Sequence, residues 1–319
     1  MALAVRFYDQ QPDVASDSLR EDVLNGLATE PKAIPPKYFY DQRGSELFEA
    51  ITGTPEYYPT RTEERILTEA AGDIAAIAGS GMTLMELGSG ASRKIRLLLE
   101  ALRPQSYLGV DISRDFLLSS THRLAADYPW LDVSALCTDF TQPMELPQTL
   151  GKAPVLAFFP GSSIGNFTPT QACAFLRNLH RLLPPGSGLL IGVDLVKSKA
   201  RLEAAYNDAE GITAAFNLNL LERIRREMDT DLDPSRFSHY AFYNEPQSRI
   251  EMHLVSRRAQ TIRVEDQRFM FRQGETLHTE NSYKYSLKGF ETLSREAGFS
   301  PIAVWKDPAA LFSVHYLGR

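Results

Sequence analysis

Leu84-Met85-Glu86-Leu87-Gly88-Ser89-Gly90 is the stretch on which the fold turns. An apolar strand over 83–87 carries an acid near its end and then bends through two glycines. Ala91 to Leu102 follows with apolar residues at helical spacing. Glycine at a strand-to-helix turn lets a cofactor lie against bare backbone. The next strand, Tyr107-Leu108-Gly109-Val110-Asp111, again ends in a carboxylate. An acid at the tip of a second strand, about 20 residues on, is where such folds hold ribose hydroxyls. Gly88-Ser89-Gly90-Ala91-Ser92-Arg93 lacks the third glycine of a dinucleotide fingerprint, so nothing favours a pyrophosphate. The structural alternative is a Gly-x-Gly that serves packing alone.

Outward from this turn, residues 62–195 alternate strands with helices. The pattern predicts strands at 83–87, 106–111, 131–137, 154–159 and 187–195. Helices are expected over Glu63–Ala78, 91–102, 114–127 and 170–183. Strands 154–159 and 187–194 are almost wholly apolar, as parallel strands covered on both faces are. Short strands separated by helices imply βαβ units and a parallel sheet. A helix near 287–297 and two apolar stretches, Pro301–Trp305 and Leu311–Leu317, complete that sheet as a terminal hairpin. Residues 1–61 and 197–285 break the rhythm. The first is helical at 17–27, then dense in prolines and aromatics; the second offers a long helix over 199–229 and strand-like runs at 239–243, 249–256 and 260–269. The expected organisation is a domain of 62–196 plus 286–319, and a smaller α+β domain of 1–61 plus 197–285. Ligands commonly bind outside the carboxyl ends of the strands, where lobes meet.

The chain has 319 residues, 43% of them hydrophobic and 23% charged, with a formal net charge of −6. These values describe a soluble globular protein and argue against nucleic acid as the main partner. Cys137 and Cys173 have no paired spacing, which suits a reducing compartment. The six histidines form no HExxH or HxxxH pair, so no metal is expected. Val155-Leu-Ala-Phe-Phe159 is far short of the ~20 residues of a membrane span. No signal peptide is visible at the N-terminus. A cytoplasmic monomeric enzyme without membrane attachment is expected.

Three further runs stand out. Thr54-Pro-Glu-Tyr57-Tyr58-Pro-Thr-Arg-Thr62 reads either as a proline-bounded loop with packing tyrosines or as part of a pocket. Phe158-Phe-Pro-Gly161-Ser-Ser163-Ile-Gly165-Asn166-Phe-Thr168 places a glycine-rich loop and an amide after the fourth strand, beside the cofactor turn. Thr279-Glu280-Asn281-Ser282-Tyr283-Lys284-Tyr285 sets a carboxylate and a hydroxyl two residues apart, on one side of an extended chain. The bland reading of Glu280 is a solvated ion pair with Lys284.

E-L-G-S-G followed by V-D-I-S resembles the pattern of S-adenosylmethionine-dependent methyltransferases. With Pro35-Pro36-Lys37, Phe39-Tyr40-Asp41, Gly44-Ser45, Pro55–Glu63, Gly161–Asn166, Asp194–Lys197, Gly211–Asn217 and Ile250–Met252 in order, the chain resembles the histidine Nα-methyltransferases of ergothioneine synthesis. The resemblance runs over nearly the whole chain. It implies a Rossmann-like α/β fold with a seven-stranded sheet, a split substrate-binding domain, and trimethylation of L-histidine to hercynine by S-adenosyl-L-methionine.

Carried over by motif, the resemblance gives Gly88, Lys94 and Asp111 to the cofactor, with Asp111 on the ribose hydroxyls and Asp139-Phe140 on the adenine. Asn166 and Tyr206 would fix the substrate carboxylate, with Tyr57, Gly161, Ser163 and Met252 in the same pocket. Tyr40 would lie near the amine, as the catalytic candidate. Glu280 and Ser282 would read the imidazole. Ser163 stands where the family can have threonine, and the hydroxyl is kept. An N-methyltransferase for another amino acid, such as a tryptophan derivative, is the nearest alternative; the carboxylate of Glu280 suits imidazole better than indole. A non-catalytic cofactor-binding protein and a nicotinamide dehydrogenase are the alternatives from other classes.

Overall fold

The computed structural model describes residues 5–10, 15–90, 92–150 and 153–319. The first third of the chain forms β1 (Arg6–Asp9), α1 (Ala15–Ala28), β2 (Lys32–Ala33), α2 (Gln42–Thr52), α3 (Tyr58–Ala78), β3 (Thr83–Leu87) and α4 (Arg96–Leu102). Then come β4 (Ser106–Asp111), α5 (Arg114–Asp127), β5 (Asp132–Cys137), β6 (Val155–Phe159), α6 (Pro169–Leu182) and β7 (Gly188–Asp194). Next are α7 (Lys199–Ala204), α8 (Ile212–Glu227), β8 (Phe237–Asn244), β9 (Arg249–Ser256), β10 (Gln260–Val264), β11 (Gln267–Phe271) and β12 (Thr276–Tyr283). The chain closes with α9 (Leu287–Glu296), β13 (Ser300–Lys306) and β14 (Phe312–Gly318). These elements gather into two compact units: Met1–Gln11, Pro59–Val196 and Lys284–Arg319 form one, Pro12–Tyr58 and Lys197–Tyr283 the other.

The larger unit is an α/β fold around one sheet of order β1-β5-β4-β3-β6-β7-β14-β13. Neighbours from β1 to β7 run parallel, and β14 is antiparallel to both β7 and β13. Side chains alternate across each strand. On β3, Leu84 joins one buried cluster with Ile66, Leu67 and Leu98, while Met85 and Leu87 join the opposite one with Phe159, Leu176 and Phe290. Both faces are therefore core, which is why the parallel strands read as unbroken apolar runs. From β3 the chain builds β4 and β5 to one side, then returns to lay β6 on the other. The gap outside the carboxyl ends of β3 and β6 is thus the topological switch point.

Two expectations change here. Residues 6–9, assigned from sequence to the small domain, form an eighth strand parallel to β5, with Phe7 opposite Ala135. A four-residue strand is too short to show periodicity, and only its partner reveals it. The helix expected over 91–102 begins at Arg96. Ser92 holds φ 51°, so the turn that starts at Gly88 runs on past Gly90, and Ala91 lies outside the described residues.

The smaller unit holds a sheet of order β2-β12-β9-β8 and the separate hairpin β10–β11. The run expected as one strand over 260–269 folds back at Glu265, which has φ 52°. The long helix expected over 199–229 is two helices. The Asp208 carboxylate accepts the N–H groups of Ile212 and Thr213 at 2.8 Å each, and Gly211 turns at φ 73°. An acid capping free N–H groups starts a new helix there. On β9, Ile250, Met252 and Leu254 form the buried side of the sheet, under α8. On β12 a register shift between His278 and Glu280 inserts an extra residue. This bulge sets His278 opposite His253 but Glu280 opposite Met252, so two residues of equal parity face opposite ways.

Candidate active site

In the larger unit the cofactor candidates converge on the switch point. Gly88 and Gly90 both take positive φ, 67° and 47°, which a side chain would strain. The N–H groups of Gly88 and Ser89 donate to Val110 O at 2.8 and 3.1 Å, pinning the turn to the end of β4. There the Asp111 carboxylate accepts the N–H groups of Gly90 at 3.0 Å and Ser113 at 2.9 Å. Burial raises the Asp111 pKa above the ordinary carboxylate value, and these N–H bonds oppose it. The Phe140 ring lies beside the turn, 3.7 Å from where a Gly88 Cβ would sit. Phe140 packs against Phe159 and Phe175, while Asp139 caps the backbone of Thr141 at 3.0 Å. The Ser89 hydroxyl is buried with no partner among the described residues. A bare-backbone turn, an orphaned hydroxyl, a carboxylate and an aromatic face suit an adenosine-bearing cofactor.

The acceptor loop follows β6. Ser163–Asn166 forms a single 3₁₀ turn, anchored from both sides. Asp194 N donates to Ser162 Oγ at 2.9 Å, and Ser163 Oγ donates to Pro160 O at 2.9 Å. Glu63, on α3 and fully buried, joins this loop to Lys94. Its carboxylate accepts from Gly161 N at 2.9 and 3.1 Å and from Lys94 Nζ at 2.6 Å. It lies over Gly192 of β7, where a Cβ would come within 2.0 Å of Oε1. Glu63 was not singled out from sequence. Its signal was an acid on the apolar stripe of α3 that also carries Ile66, Leu67, Ala70 and Ile74.

In the smaller unit the amino-acid candidates share one aromatic cluster. Tyr40 meets Phe48 and Phe216 edge-on at 5.7 and 5.8 Å. Phe48 meets Tyr57 at 6.3 Å, and Tyr57 meets Tyr206 at 6.2 Å. The Tyr206 hydroxyl donates to Ser282 Oγ at 2.8 Å. Ser282 and Glu280 lie on one face of β12, and Glu280 pairs across the ladder with Met252. Glu280 is 9% exposed, and Lys284 is fully buried against Asp194 Oδ2 at 2.8 Å. Neither therefore lies on a solvated surface. Gly161, Ser163 and Asn166 belong to the larger unit, and Tyr40, Tyr57, Tyr206, Met252, Glu280 and Ser282 to the smaller.

The other face of the small sheet carries Glu251, His253 and His278, whose donor atoms lie within 4.8 Å of one another. Glu251 Oε1 accepts from Arg249 Nε and Asn244 Nδ2 at 2.8 Å each, and Oε2 meets His253 Nε2 at 3.0 Å. These bonds to Arg249, Asn244 and His253 hold the Glu251 pKa down at about 2 against its burial. A guanidinium already neutralises this carboxylate, so the cluster is a structural ion-pair network.

A family model described as histidine-specific methyltransferase, SAM-dependent, matches residues 19–319. The chain belongs to that family. This histidine-specific methyltransferase is 43% identical over 308 residues, 95% of each chain, to a histidine N-alpha-methyltransferase of Mycolicibacterium smegmatis. It is 40% identical over 309 residues, again 95% of each chain, to the protein of that name from Mycobacterium tuberculosis. Ergothioneine biosynthesis protein 1 of Neurospora crassa is 33% identical over 286 residues, 86% of this chain and 32% of that one. The methyltransferase uses S-adenosylmethionine and acts on histidine. No helix among its described residues is long and apolar enough to cross a membrane.

Proposed function

We propose that this methyltransferase places three methyl groups on the α-amine of L-histidine, giving hercynine in the first step of ergothioneine biosynthesis. The observation that carries the reading is the 43% identity, over 95% of both chains, to a histidine N-alpha-methyltransferase. The smaller unit is the substrate-binding domain, with Tyr206 on the substrate carboxylate and Tyr57 and Met252 lining its pocket; Asn166, for the same carboxylate, and Gly161 and Ser163 come from the loop after β6 in the larger unit. Gly88, Lys94, Asp111, Asp139 and Phe140 hold the cofactor. When bound, S-adenosylmethionine supplies a methyl group on a sulfonium sulfur.

Displacement at such a carbon is in-line and asks the protein mainly for alignment. The chain's part is to hold the amine as a free lone pair on the axis of attack. Tyr40 takes or relays the amine proton before each attack. The product bears a fixed positive charge, and tyrosine faces solvate it without trapping it as an anion would. Glu280 accepts an N–H bond from the imidazole, supported by Ser282. A buried acceptor left unpaired by an apolar analogue costs about 1–3 kcal/mol, which is the origin of side-chain choice.

Mass spectrometry of a reaction with L-histidine should show three methyl groups, all on the α-nitrogen. A methyl on the imidazole would overturn the regiochemistry. Exchange of Glu280 for alanine should lower kcat/KM for histidine and raise it for tryptophan relative to histidine. An unchanged ratio would remove Glu280 from the site. The enzyme works in the cytoplasm as a single copy of the chain; light scattering at micromolar concentration checks the latter.

A further inference from the structure

The Gly211–Asn217 run opens α8. Asn217 sits on α8, wholly buried, with its side chain between α8 and the small sheet. Its Nδ2 lies 3.0 Å from His253 O and 2.9 Å from His239 Nδ1. Its Oδ1 lies 2.7 Å from Thr279 Oγ1. Thr279 falls at the bulge between His278 and Glu280, and its hydroxyl also stands 3.1 Å from Met252 O. His239 Nε2 lies 2.8 Å from Tyr206 O.

The backbone carbonyls of His253 and Tyr206 fix the amide orientation and the ring proton. A carbonyl only accepts, so the Asn217 atom facing His253 O is the amide nitrogen. Its second N–H then points at His239 Nδ1, which must be a bare lone pair. The ring proton therefore sits on Nε2 and is donated to Tyr206 O. The opposite side of the amide is the oxygen, and Thr279 donates to it. An imidazolium would set N–H against N–H at Asn217. Burial lowers the His239 pKa, which favours the neutral ring this arrangement requires.

We propose that Asn217 is a positioning residue for the amino-acid site: through Thr279 it fixes the bulge that turns Glu280 inward, and through His239 it holds the backbone of Tyr206. One amide thus sets the register of the two elements that carry the carboxylate-binding and imidazole-reading groups. The proposal rests on the reading that Tyr206 and Glu280 bind histidine.

The test uses the full chain, titrated with S-adenosylhomocysteine and with L-histidine. Asn217→Leu removes donor and acceptor together and should weaken histidine about tenfold or more, as expected for stranded buried polar groups. Affinity for S-adenosylhomocysteine should stay within about twofold, because the cofactor residues belong to the other unit. Asn217→Asp accepts where asparagine donated. It sets a carboxylate oxygen against His253 O as well as His239 Nδ1 and should weaken histidine too; histidine affinity like wild type in this variant counts against the proposal. Nitrogen NMR of the wild-type ring should show a neutral Nε2–H tautomer; a proton on Nδ1 at pH 7 overturns the proposal. A folded Asn217→Leu protein that binds histidine like wild type also overturns it. If that variant does not fold, Thr279→Val answers in its place, with unchanged histidine affinity counting against the proposal. Tyr206→Phe and Glu280→Ala separate the two levels. If they leave histidine binding intact, the site reading falls; if they weaken it while the Asn217 and Thr279 variants do not, only the role of Asn217 falls.

Discussion

Glu86 stands two residues before Gly88, and its environment sets its protonation. It is buried on β3, and Tyr107 donates to its Oε2 at 2.6 Å. Burial pushes its pKa up to about 8 from 4.5. The folded protein therefore keeps a proton on Glu86 that the unfolded chain releases near 4.5. Where the native state binds more protons, stability falls as pH rises. Thermal unfolding should show such a decline between pH 4.5 and about 8, and Glu86→Gln should flatten it. An identical pH profile in the variant would mean that the carboxyl is ionised in the fold. The proposed reading gives Asp111 to the cofactor and Asn166 to histidine. Asp111→Ala should weaken S-adenosylhomocysteine and Asn166→Ala histidine, each by roughly 1.5–3 kcal/mol in titration calorimetry. Asn166→Ala abolishing cofactor binding alone would misplace the acceptor loop. The placement of Asp111 at the tip of β4 and of Asn166 in the loop after β6 was legible in the sequence, because apolar strands precede both. Glu63 and Asn217 were not. Both lie on the buried sides of helices, where only the partner they meet reveals a role.

Helix α3 offers a matched pair of glycine exchanges with opposite signs. Gly192→Ala on β7 drives a methyl group into the Glu63 carboxylate beneath α3, with Phe312 closing the other side at 3.0 Å. Overpacking of this kind costs about 1–3 kcal/mol. It should also weaken S-adenosylhomocysteine, because Lys94 and Gly161 lose their shared acceptor. Gly72→Ala, in the exposed middle of α3 with open space around it, should stabilise by about 0.4–1 kcal/mol. Denaturant melts and calorimetry read both, and a neutral Gly192→Ala would show that the carboxylate is free to move. Helices and strands of the large unit were readable from periodicity because their neighbours bury them regularly. The break between α7 and α8 was readable too, in the spacing of Asp208 and Gly211, yet the apolar pattern on either side masked it. The bulge on β12 had no signature, since register belongs to a pair of strands and not to one.

The architecture as a whole was legible from the alternation of strands and helices. The strand that joins it from residues 6–9 was not. That strand ties down the segment following Asp139-Phe140. Tyr8 OH meets Thr149 Oγ1 at 2.6 Å, and Gln10 Nε2 donates to Glu145 O at 2.9 Å. Removal of residues 1–10 should therefore lower the melting temperature and weaken S-adenosylhomocysteine several-fold, with histidine affinity kept. A loss of histidine affinity instead would return the segment to the substrate side.

The division of the smaller unit into two pieces has a consequence for how a cell makes it. Phe39, Tyr40 and Phe48 find their ring partner in Phe216. Phe216 lies 168 positions after Phe48, and the intervening chain builds most of another unit. At about 5–20 residues per second, the first piece waits on the ribosome for roughly 10–30 seconds with its aromatic face uncovered. Nascent chains stalled before residue 212 should therefore be clients of holdase chaperones, and chains stalled beyond the end of β12 should have let them go.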